Sequence, residues 1–338
     1  AEKGGPIIGR ERPLGAMGLS SGPLLKDGAK FRFWAGCQEE QGAGHEVYFE
    51  STDGLVWERP NLKLVDWGGE TENNVLLGLP GAIFIDPAAP PEQRYKAVGT
   101  RDLTKERYDE LCAKYPDRCE PRAWRTDVGV AFALFGAYSP DGYHWTDVPE
   151  PLAVEHADTQ NIGCWDALLG KYVLWTRNWW LSERAPGYAE GQGQPWYMVG
   201  RRSIGRSEAA TFDQFPLSEI VLHSPPDMLP SEVLYTNCYG TYPGAPEARL
   251  MFPAVWDMAS DSTRIVLASS TDSRYWDWLP NGTLFETGEF GEFDGGTVFA
   301  APNLVELPRG DFALPYTGYA FPHKYPRGAW AYDLGMAV

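Results

Sequence analysis

The sequence lacks three features that would point to common classes of protein. No apolar run approaches the ~20 residues that a membrane-spanning helix needs. Basic residues are scarce, with 29 Lys and Arg against 46 Asp and Glu and a net charge of −17, so neither a nucleic acid nor a membrane is expected as a partner. No Cys-x-x-Cys or Cys/His spacing suggests zinc, and no metal or cofactor is predicted.

Cysteine is scarce and odd in number. Of the five cysteines, at least one is unpaired. Cys112 and Cys119 bracket part of a charged insertion, where a local disulfide would hold the loop if the protein is exported. Cys164 and Cys238 lie in apolar strand patterns and fit small core residues better. The cysteine pattern favours a periplasmic or secreted protein. The sequence does not predict the oligomeric state.

What the sequence does contain is one short pattern three times. Residues 51–57, 139–145 and 270–276 each read Ser-x-Asp, a turn-forming residue, and Trp four positions after the Asp. Each follows an apolar run and precedes a proline, which is typical of a hairpin tip. A degraded fourth copy lies at 206–216. The spacing fits a repeat of roughly 65 residues, which suits a propeller blade with long loops.

Composition agrees with this fold class. The 37 glycines and 28 prolines are scattered between short apolar runs, which predicts many turns and strands. We therefore predict an all-β protein, a five-bladed β-propeller of four-stranded antiparallel blades. Residues 1–338 would form a single domain with a helical insertion near 102–123. We expect many of the 14 tryptophans to pack between neighbouring blades and some of their rings to stack on sugars.

Several strings carry a family resemblance: "YFESTDGLVWERP", "FIDPAAPPEQRYKAV", "DTQNIGCWDALLGKYVLWTR" and "LPYTGYAFPHKYPRGAW". Across residues 20–335 the chain resembles bacterial proteins related to the glycosyl hydrolase family 32 N-terminal domain. The resemblance implies the five-bladed propeller of invertases, arabinanases, β-xylosidases and mannoside phosphorylases, and a carbohydrate substrate. Invertase-like enzymes carry Asn-Asp-Pro-Asn in blade one, where this chain has Leu19-Ser-Ser-Gly-Pro. That departure removes the usual nucleophile and argues against fructan cleavage.

Carboxylates fall where the innermost strands of the blades begin and would face a shared cavity. Cleaving a glycosidic bond requires a carboxylic acid and a carboxylate, which different blades can supply. We predict Asp158 as nucleophile or base, Glu232 as general acid and Glu72 as a helper that tunes their pKa values. Asp294 would contact the substrate. The alternative for each carboxylate is a structural role, in which it caps a strand or bonds a turn amide.

Basic, amide and aromatic residues complete the predicted site. An arginine beside a carboxylate keeps it ionised or binds a substrate carboxylate, although it can equally be half of a structural ion pair. The predicted substrate-binding residues are Arg177, Arg201, His156, His323, Asn74, Tyr235 and Trp180, together with Asp294. Trp179 and Trp196 are further candidates for stacking on a sugar ring.

These observations favour a glycoside hydrolase that cleaves a bond in an oligo- or polysaccharide, with its site in the central propeller cavity. The alternatives are a non-catalytic carbohydrate-binding propeller, or a lyase or phosphorylase using the same cavity. Loss of Asp158 or Glu232 would change the affinity of a binding module modestly, whereas an enzyme would lose turnover by orders of magnitude.

Overall fold

A computed structural model describes residues 1–8, 16–39, 44–120, 123–180, 200–225, 227–324 and 332–337. The chain divides into two compact units. Unit 1 contains residues 1–79, 238–272 and 277–338, and unit 2 contains residues 80–237 and 273–276. The single-domain organisation of residues 1–338 stays a prediction.

The first three groups of strands pair antiparallel. The first group is β1 (Ala16–Asp27), β2 (Lys30–Glu39) and β3 (His45–Ser51). The second is β4 (Ala82–Ile85), β5 (Tyr95–Leu103), β6 (Trp124–Arg125), β7 (Val130–Ser139) and β8 (Thr146–Asp147). The third is β9 (Ile162–Asp166), β10 (Lys171–Trp180), β11 (Arg201–Ala209) and β12 (Glu219–Leu222).

The remaining strands form two more antiparallel groups. The fourth is preceded by β13 (Glu232–Leu234) and contains β14 (Tyr239–Tyr242), β15 (Ala245–Met251), β16 (Ala254–Asp257), β17 (Ser262–Ser270) and β18 (Asp277–Glu286). The fifth is β19 (Thr297–Ala300), β20 (Val305–Glu306), β21 (Phe312–Tyr319) and β22 (Tyr332–Ala337). Within unit 1, β22 pairs with β1 in parallel and the Gly4 amide donates to the Met336 carbonyl.

The described part of the first group has three strands instead of the predicted four. Beyond β3 the expected outer strand is replaced by two isolated bridges. Val47 pairs with Val75, and Glu50 and Glu58 exchange backbone hydrogen bonds of 3.1 and 2.8 Å. Pro60 follows two residues later and has no amide hydrogen to continue the ladder, which explains why pairing stops there.

The repeated tips are built by a shared set of hydrogen bonds. In the tip at 51–57 the Ser51 hydroxyl accepts from the backbone amides of Asp53 (3.2 Å) and Gly54 (2.8 Å). The Asp53 carboxylate accepts the next two amides, both at 2.8 Å. The tip at 139–145 repeats all four bonds at 2.8–3.2 Å. The predicted hairpin tips therefore fold locally through Ser and Asp side chains.

Each of the three full tips begins at the last residue of a strand: β3, β7 and β17. The degraded copy lies around the end of the third strand of its own group, β11. The position after Asp needs a left-handed backbone, with φ of +77° at Gly54 and +83° at Gly142. The third copy places Ser273 there at φ +67°, and its hydroxyl accepts a 3.1 Å bond from the Arg206 Nε–H.

Large apolar and aromatic side chains fill separate cores in the two units. The unit 1 core includes Leu19, Leu24, Phe31, Phe33, Phe49, Val305 and Met336. Unit 2 has one core that includes Phe84, Leu134, Leu152, Leu174, Phe212 and Phe215, and a second beneath its helix. Several aromatics are almost fully buried, among them Trp34, Trp175, Tyr48, Tyr95 and Tyr316. Much of the aromatic excess therefore serves packing.

The helical insertion contains one helix, α1 (Lys105–Lys114), shorter than the predicted span near 102–123. The Thr104 hydroxyl caps its first turn, and Pro116 ends it because a residue before proline disfavours helical backbone. Cys112 and Cys119 form a disulfide with Cα atoms 5.1 Å apart. No helix in the described part of the chain is long and apolar enough to span a membrane.

Candidate functional site

The candidate site lies on one face of the β10–β11 ladder in unit 2. The register places Trp179 opposite Arg202 and Arg177 opposite Ile204. Because side chains alternate between the faces of a strand, Arg177, Trp179 and Arg202 share one face. These residues form the cluster to which the neighbouring loops add Asp158 and Tyr235.

Arg177 holds Asp158 in a charge-assisted hydrogen bond. Its Nη1 lies 2.7 Å from Asp158 Oδ1, and its Nη2 donates to the Tyr235 carbonyl. The arginine side chain is 2 % exposed, whereas that of Asp158 is 36 % exposed. The pair therefore presents an oriented carboxylate to solvent on a buried, fixed cation.

The Tyr235 ring lies beside two guanidinium groups. Arg177 is 4.5 Å and Arg202 is 5.1 Å from its centroid, and Arg202 is also 4.8 Å from the Trp179 ring. Burial lowers the pKa of Arg202 to about 10, and the positive charge of Arg177 acts in the same direction. Arg202 thus stays protonated at neutral pH.

His156 forms an aromatic wall next to this cluster. Its ring lies 5.4 Å from that of Phe132 and 5.6 Å from that of Trp179, whose indole N–H donates to the His156 carbonyl at 3.3 Å. Burial lowers the pKa of His156 to about 4, against a smaller opposing effect of Asp158. At neutral pH the ring is uncharged and supplies shape and hydrogen-bonding capacity.

Polar backbone lies at the base of the cluster. The Asn237 side chain donates to the Gln160 carbonyl at 2.7 Å, and the Asp158 carboxylate accepts the Thr159 amide at 3.0 Å. The described cavity beside Gln160 and Arg177 is only about 10 Å³, roughly the space of one water. This cavity is too small to hold a sugar ring.

Trp180 and Arg201 lie on the opposite face of the same ladder. Trp180 stacks on His223, with centroids 4.5 Å apart and ring planes 20° from parallel. Arg201 donates to the carbonyls of Leu229 (3.0 Å) and Glu232. The Glu232 carboxylate accepts the Leu229 amide at 3.0 Å, so these groups order the turn before β13.

The remaining predicted residues belong to unit 1. Asp294 is buried there, 2.9 Å from Lys3 Nζ and 3.0 Å from the Tyr316 hydroxyl, and its charge together with burial raises the pKa of Tyr316. The Asp294 carboxylate is thus bound by Lys3 and by the Tyr316 hydroxyl. Its role towards a substrate stays a prediction.

Glu72, Asn74 and His323 are also in unit 1. Glu72 is exposed, and the Asn74 side chain donates to the Tyr48 carbonyl at 2.8 Å. The His323 ring packs edge-on against Trp256 and Phe299, with centroids 5.3 and 5.2 Å apart. Their assignment to a substrate site stays a prediction, and Trp196 lies outside the described residues.

A buried acid that was not predicted from the sequence lies beside the cluster. Glu155 precedes His156, and its Oε2 accepts hydrogen bonds from the Ser218 hydroxyl (2.6 Å) and amide (3.2 Å). Burial, reinforced by the charge of Glu120, raises the pKa of Glu155 to about 7. Nothing in the sequence distinguishes this glutamate from a surface residue, because the flanking positions show no alternation to reveal its burial.

No group of three or more His, Cys, Asp or Glu side chains in the described ranges is arranged to hold a metal ion. The cluster around Arg177 combines the exposed Asp158 carboxylate, the guanidinium groups of Arg177 and Arg202, and an aromatic wall.

Comparisons with known proteins give a fold. No protein-family model matches the chain, and no curated protein does either. A thermostable family-43 glycoside hydrolase is 12% identical over 96% of this chain and 91% of its own, with a TM-score of 0.55. A GH32 β-fructofuranosidase from Bombyx mori is 11% identical over 97% of this chain and 61% of its own, at 0.54.

An N-acetylgalactosamine deacetylase from F. plautii, solved with blood group B trisaccharide, is 10% identical over 100% of this chain and 94% of its own, at 0.55. These likenesses confirm the predicted fold class, a five-bladed β-propeller. The described strands form four sheets, because the parallel pairing of β1 with β22 joins the first and fifth groups. Because matched proteins catalyse more than one reaction and the identity is low, function must be argued from the site.

Proposed function

We propose that this protein is a glycoside hydrolase that cleaves a bond in an oligo- or polysaccharide. The observation that supports it best is the Asp158–Arg177 pair, in which an exposed carboxylate is fixed by a buried guanidinium. Carboxylates in such positions serve as nucleophile or base when an anomeric carbon is brought within reach.

The surroundings of Asp158 suit that role. Arg177 fixes the direction of the carboxylate, so that little reorganisation is needed when positive charge develops on the sugar ring. Tyr235 supplies a half-buried aromatic ring beside the pair. An aromatic face packs well against the CH groups of a sugar and would hold it over the carboxylate.

Hydrolysis also requires a proton donor. Glu232 is our proposed general acid and Glu72 our proposed helper, as the sequence predicts. Glu232 is 8% exposed and its Oε2 accepts one backbone amide, which fixes the position of the carboxyl group. A Glu232→Gln variant tests this assignment independently of Asp158.

The proposed function is tested by incubating the purified protein with a panel of oligo- and polysaccharides and analysing the products. Asp158→Asn should abolish cleavage of any substrate found and retain binding. Asp147→Asn is the matched control, because Asp147 forms an exposed pair with Arg101 at 2.6–2.7 Å in the same unit. If Asp158→Asn cleaves at the wild-type rate, Asp158 is not the catalytic carboxylate.

A non-catalytic carbohydrate-binding propeller is the second candidate. The observation that favours it is that both proposed catalytic carboxylates already have protein partners, Arg177 for Asp158 and the Leu229 amide for Glu232. Calorimetry separates the two: binding without any product from a cleavable glycan indicates a binding module.

We also propose that the protein works in a periplasmic or extracellular compartment. The Cys112–Cys119 disulfide supports this, since such bonds persist in oxidising environments. Thiol counting under denaturing conditions should find three free thiols, and finding five in protein isolated from its native compartment would contradict the proposal.

A further inference from the structure

Two arginines meet at one aromatic ring in a protein whose net charge is −17. Arg177 is engaged by the protein itself, through Asp158 and the Tyr235 carbonyl. Arg202 lies on the same face of the ladder and is only partly buried. Positive charge is thus concentrated beside the exposed carboxylate, against the average charge of the chain.

The setting of Arg202 suits planar recognition of an anion. Its guanidinium lies 4.8 Å from the Trp179 ring and 5.1 Å from the Tyr235 ring, which restricts its orientation. A guanidinium stacked on aromatic faces directs its N–H groups outward along its edge, the geometry used to bind carboxylates in pairs of hydrogen bonds.

The local electrostatics also favour a bound anion. Burial and the charge of Arg177 lower the pKa of Arg202 more than Tyr235 and Asp158 raise it, which means that the protein environment opposes the charge of Arg202. His156 is neutral at neutral pH and contributes no further cation. An anionic group bound against Arg202 would offset the repulsion between the two guanidinium groups.

We propose that Arg202 is a specificity-determining residue that binds the carboxylate of a uronic acid unit in the substrate. This inference rests on the proposed hydrolase function and names its substrate class. A sulfate ester offers similar anionic oxygens, so the experiment includes sulfated glycans as a separate arm.

The test compares uronate-containing oligosaccharides, their carboxyl-reduced counterparts and sulfated oligosaccharides. Wild type should prefer the uronates. Arg202→Gln should lower kcat/KM for uronates by roughly 10- to 100-fold, the range expected for losing hydrogen bonds to a charged group, and change it less than about threefold for reduced substrates. Arg202→Lys should recover part of the loss. Arg101→Gln, an exposed arginine of the same unit, is the control and should match wild type.

Each other outcome is decisive. An equal loss on uronate and reduced substrates makes Arg202 a structural residue and overturns the proposal. A preference for sulfated substrates overturns the uronate assignment. If wild type cleaves nothing, the hydrolase function fails, and calorimetry with the same uronates then tests the subsite alone. Binding that Arg202→Gln weakens supports it, whereas absent binding, or equal binding by both proteins, overturns it.

Discussion

Two aspartates of unit 2 are paired with a buried cation, and they differ in what else reaches them. Asp158 is paired with Arg177 and remains 36 % exposed, whereas Asp86 is paired with Lys96 and is 0 % exposed. In each pair the cation itself is 2 % exposed. The difference between the two sites is therefore the access of solvent to the carboxylate.

The Asp86 carboxylate is saturated by the protein. Lys96 Nζ lies 2.8 Å and the Tyr172 hydroxyl 2.7 Å from Oδ2, and the Ala88 amide donates to Oδ1 at 2.9 Å. Such a group orders its surroundings and has no position left for a ligand. The comparison teaches that a buried cation marks a candidate site only where its carboxylate partner stays open to solvent.

The largest expected effect concerns the open pair. Asp158→Asn should lower kcat on a cleaved glycan by about 1000-fold, or ~4 kcal/mol in activation free energy, because the amide is neither a nucleophile nor a base. The amide can still accept the bond from Arg177, and solvent at this 36 % exposed position screens the arginine charge, so the melting temperature should fall less than in Asp86→Asn. Steady-state kinetics and thermal melting measure both, and a large stability loss with normal kcat would make Asp158 structural.

The saturated pair should behave in the opposite way. Asp86→Asn should lower the free energy of unfolding by about 3 kcal/mol, because Lys96 would keep a buried charge without its counter-ion. Turnover per folded molecule should stay at the wild-type value. Denaturant unfolding gives the stability and active-fraction kinetics the rate. A loss of kcat in a stable Asp86→Asn protein would show that burial does not separate the two classes.

Glu155 sharpens the comparison, because it is a buried acid whose pKa is raised to about 7. A raised pKa means that the folded state prefers the protonated acid. Its stabilising contribution is therefore complete below about pH 4.5 and is lost as the pH rises through about 7, by up to about 3 kcal/mol. His156 acts oppositely, since its lowered pKa favours folding above about pH 6.5 and costs stability as the pH falls towards 4.

Glu155→Gln isolates the first contribution. Between pH 4.5 and 7.5 the wild-type free energy of unfolding should decline relative to that of the variant, and the His156 contribution should cancel in the difference. Urea unfolding at several pH values measures it. Parallel pH profiles for the two proteins would mean that the pKa of Glu155 is not raised by folding.

Much of the fold was predictable because its signals are local. The tip at 51–57 needs only Ser51, Asp53 and a residue that tolerates positive φ, and its spacing survives long loops. Asp158 and Arg177 were both predicted as site residues, and the structure pairs them at 2.7 Å. Neither result required knowledge of which strands pair.

The faces of the site were not predictable. Whether Arg201 or Arg202 joins Arg177 depends on the register of β10 and β11, which the long connection 181–199 separates in sequence. A shift of one residue would exchange the two arginines. Burial of Glu155 likewise depends on Ser218, sixty-three positions away. Such contacts follow from tertiary packing, which composition and spacing do not record.

The smallest effect is expected at a third pair, in which both partners are exposed. Arg101 and Asp147 form two hydrogen bonds of 2.6–2.7 Å with side chains 41 % and 53 % exposed. Solvent screens such a pair, so Asp147→Asn should cost only ~0.2–1 kcal/mol of stability and should leave kcat unchanged. The loss should shrink further in high salt, as measured by unfolding at two ionic strengths. A salt-independent loss above about 2 kcal/mol would mean that hydrogen-bond geometry outweighs solvent exposure in these pairs, and exposure could then no longer separate Asp158 from Asp86.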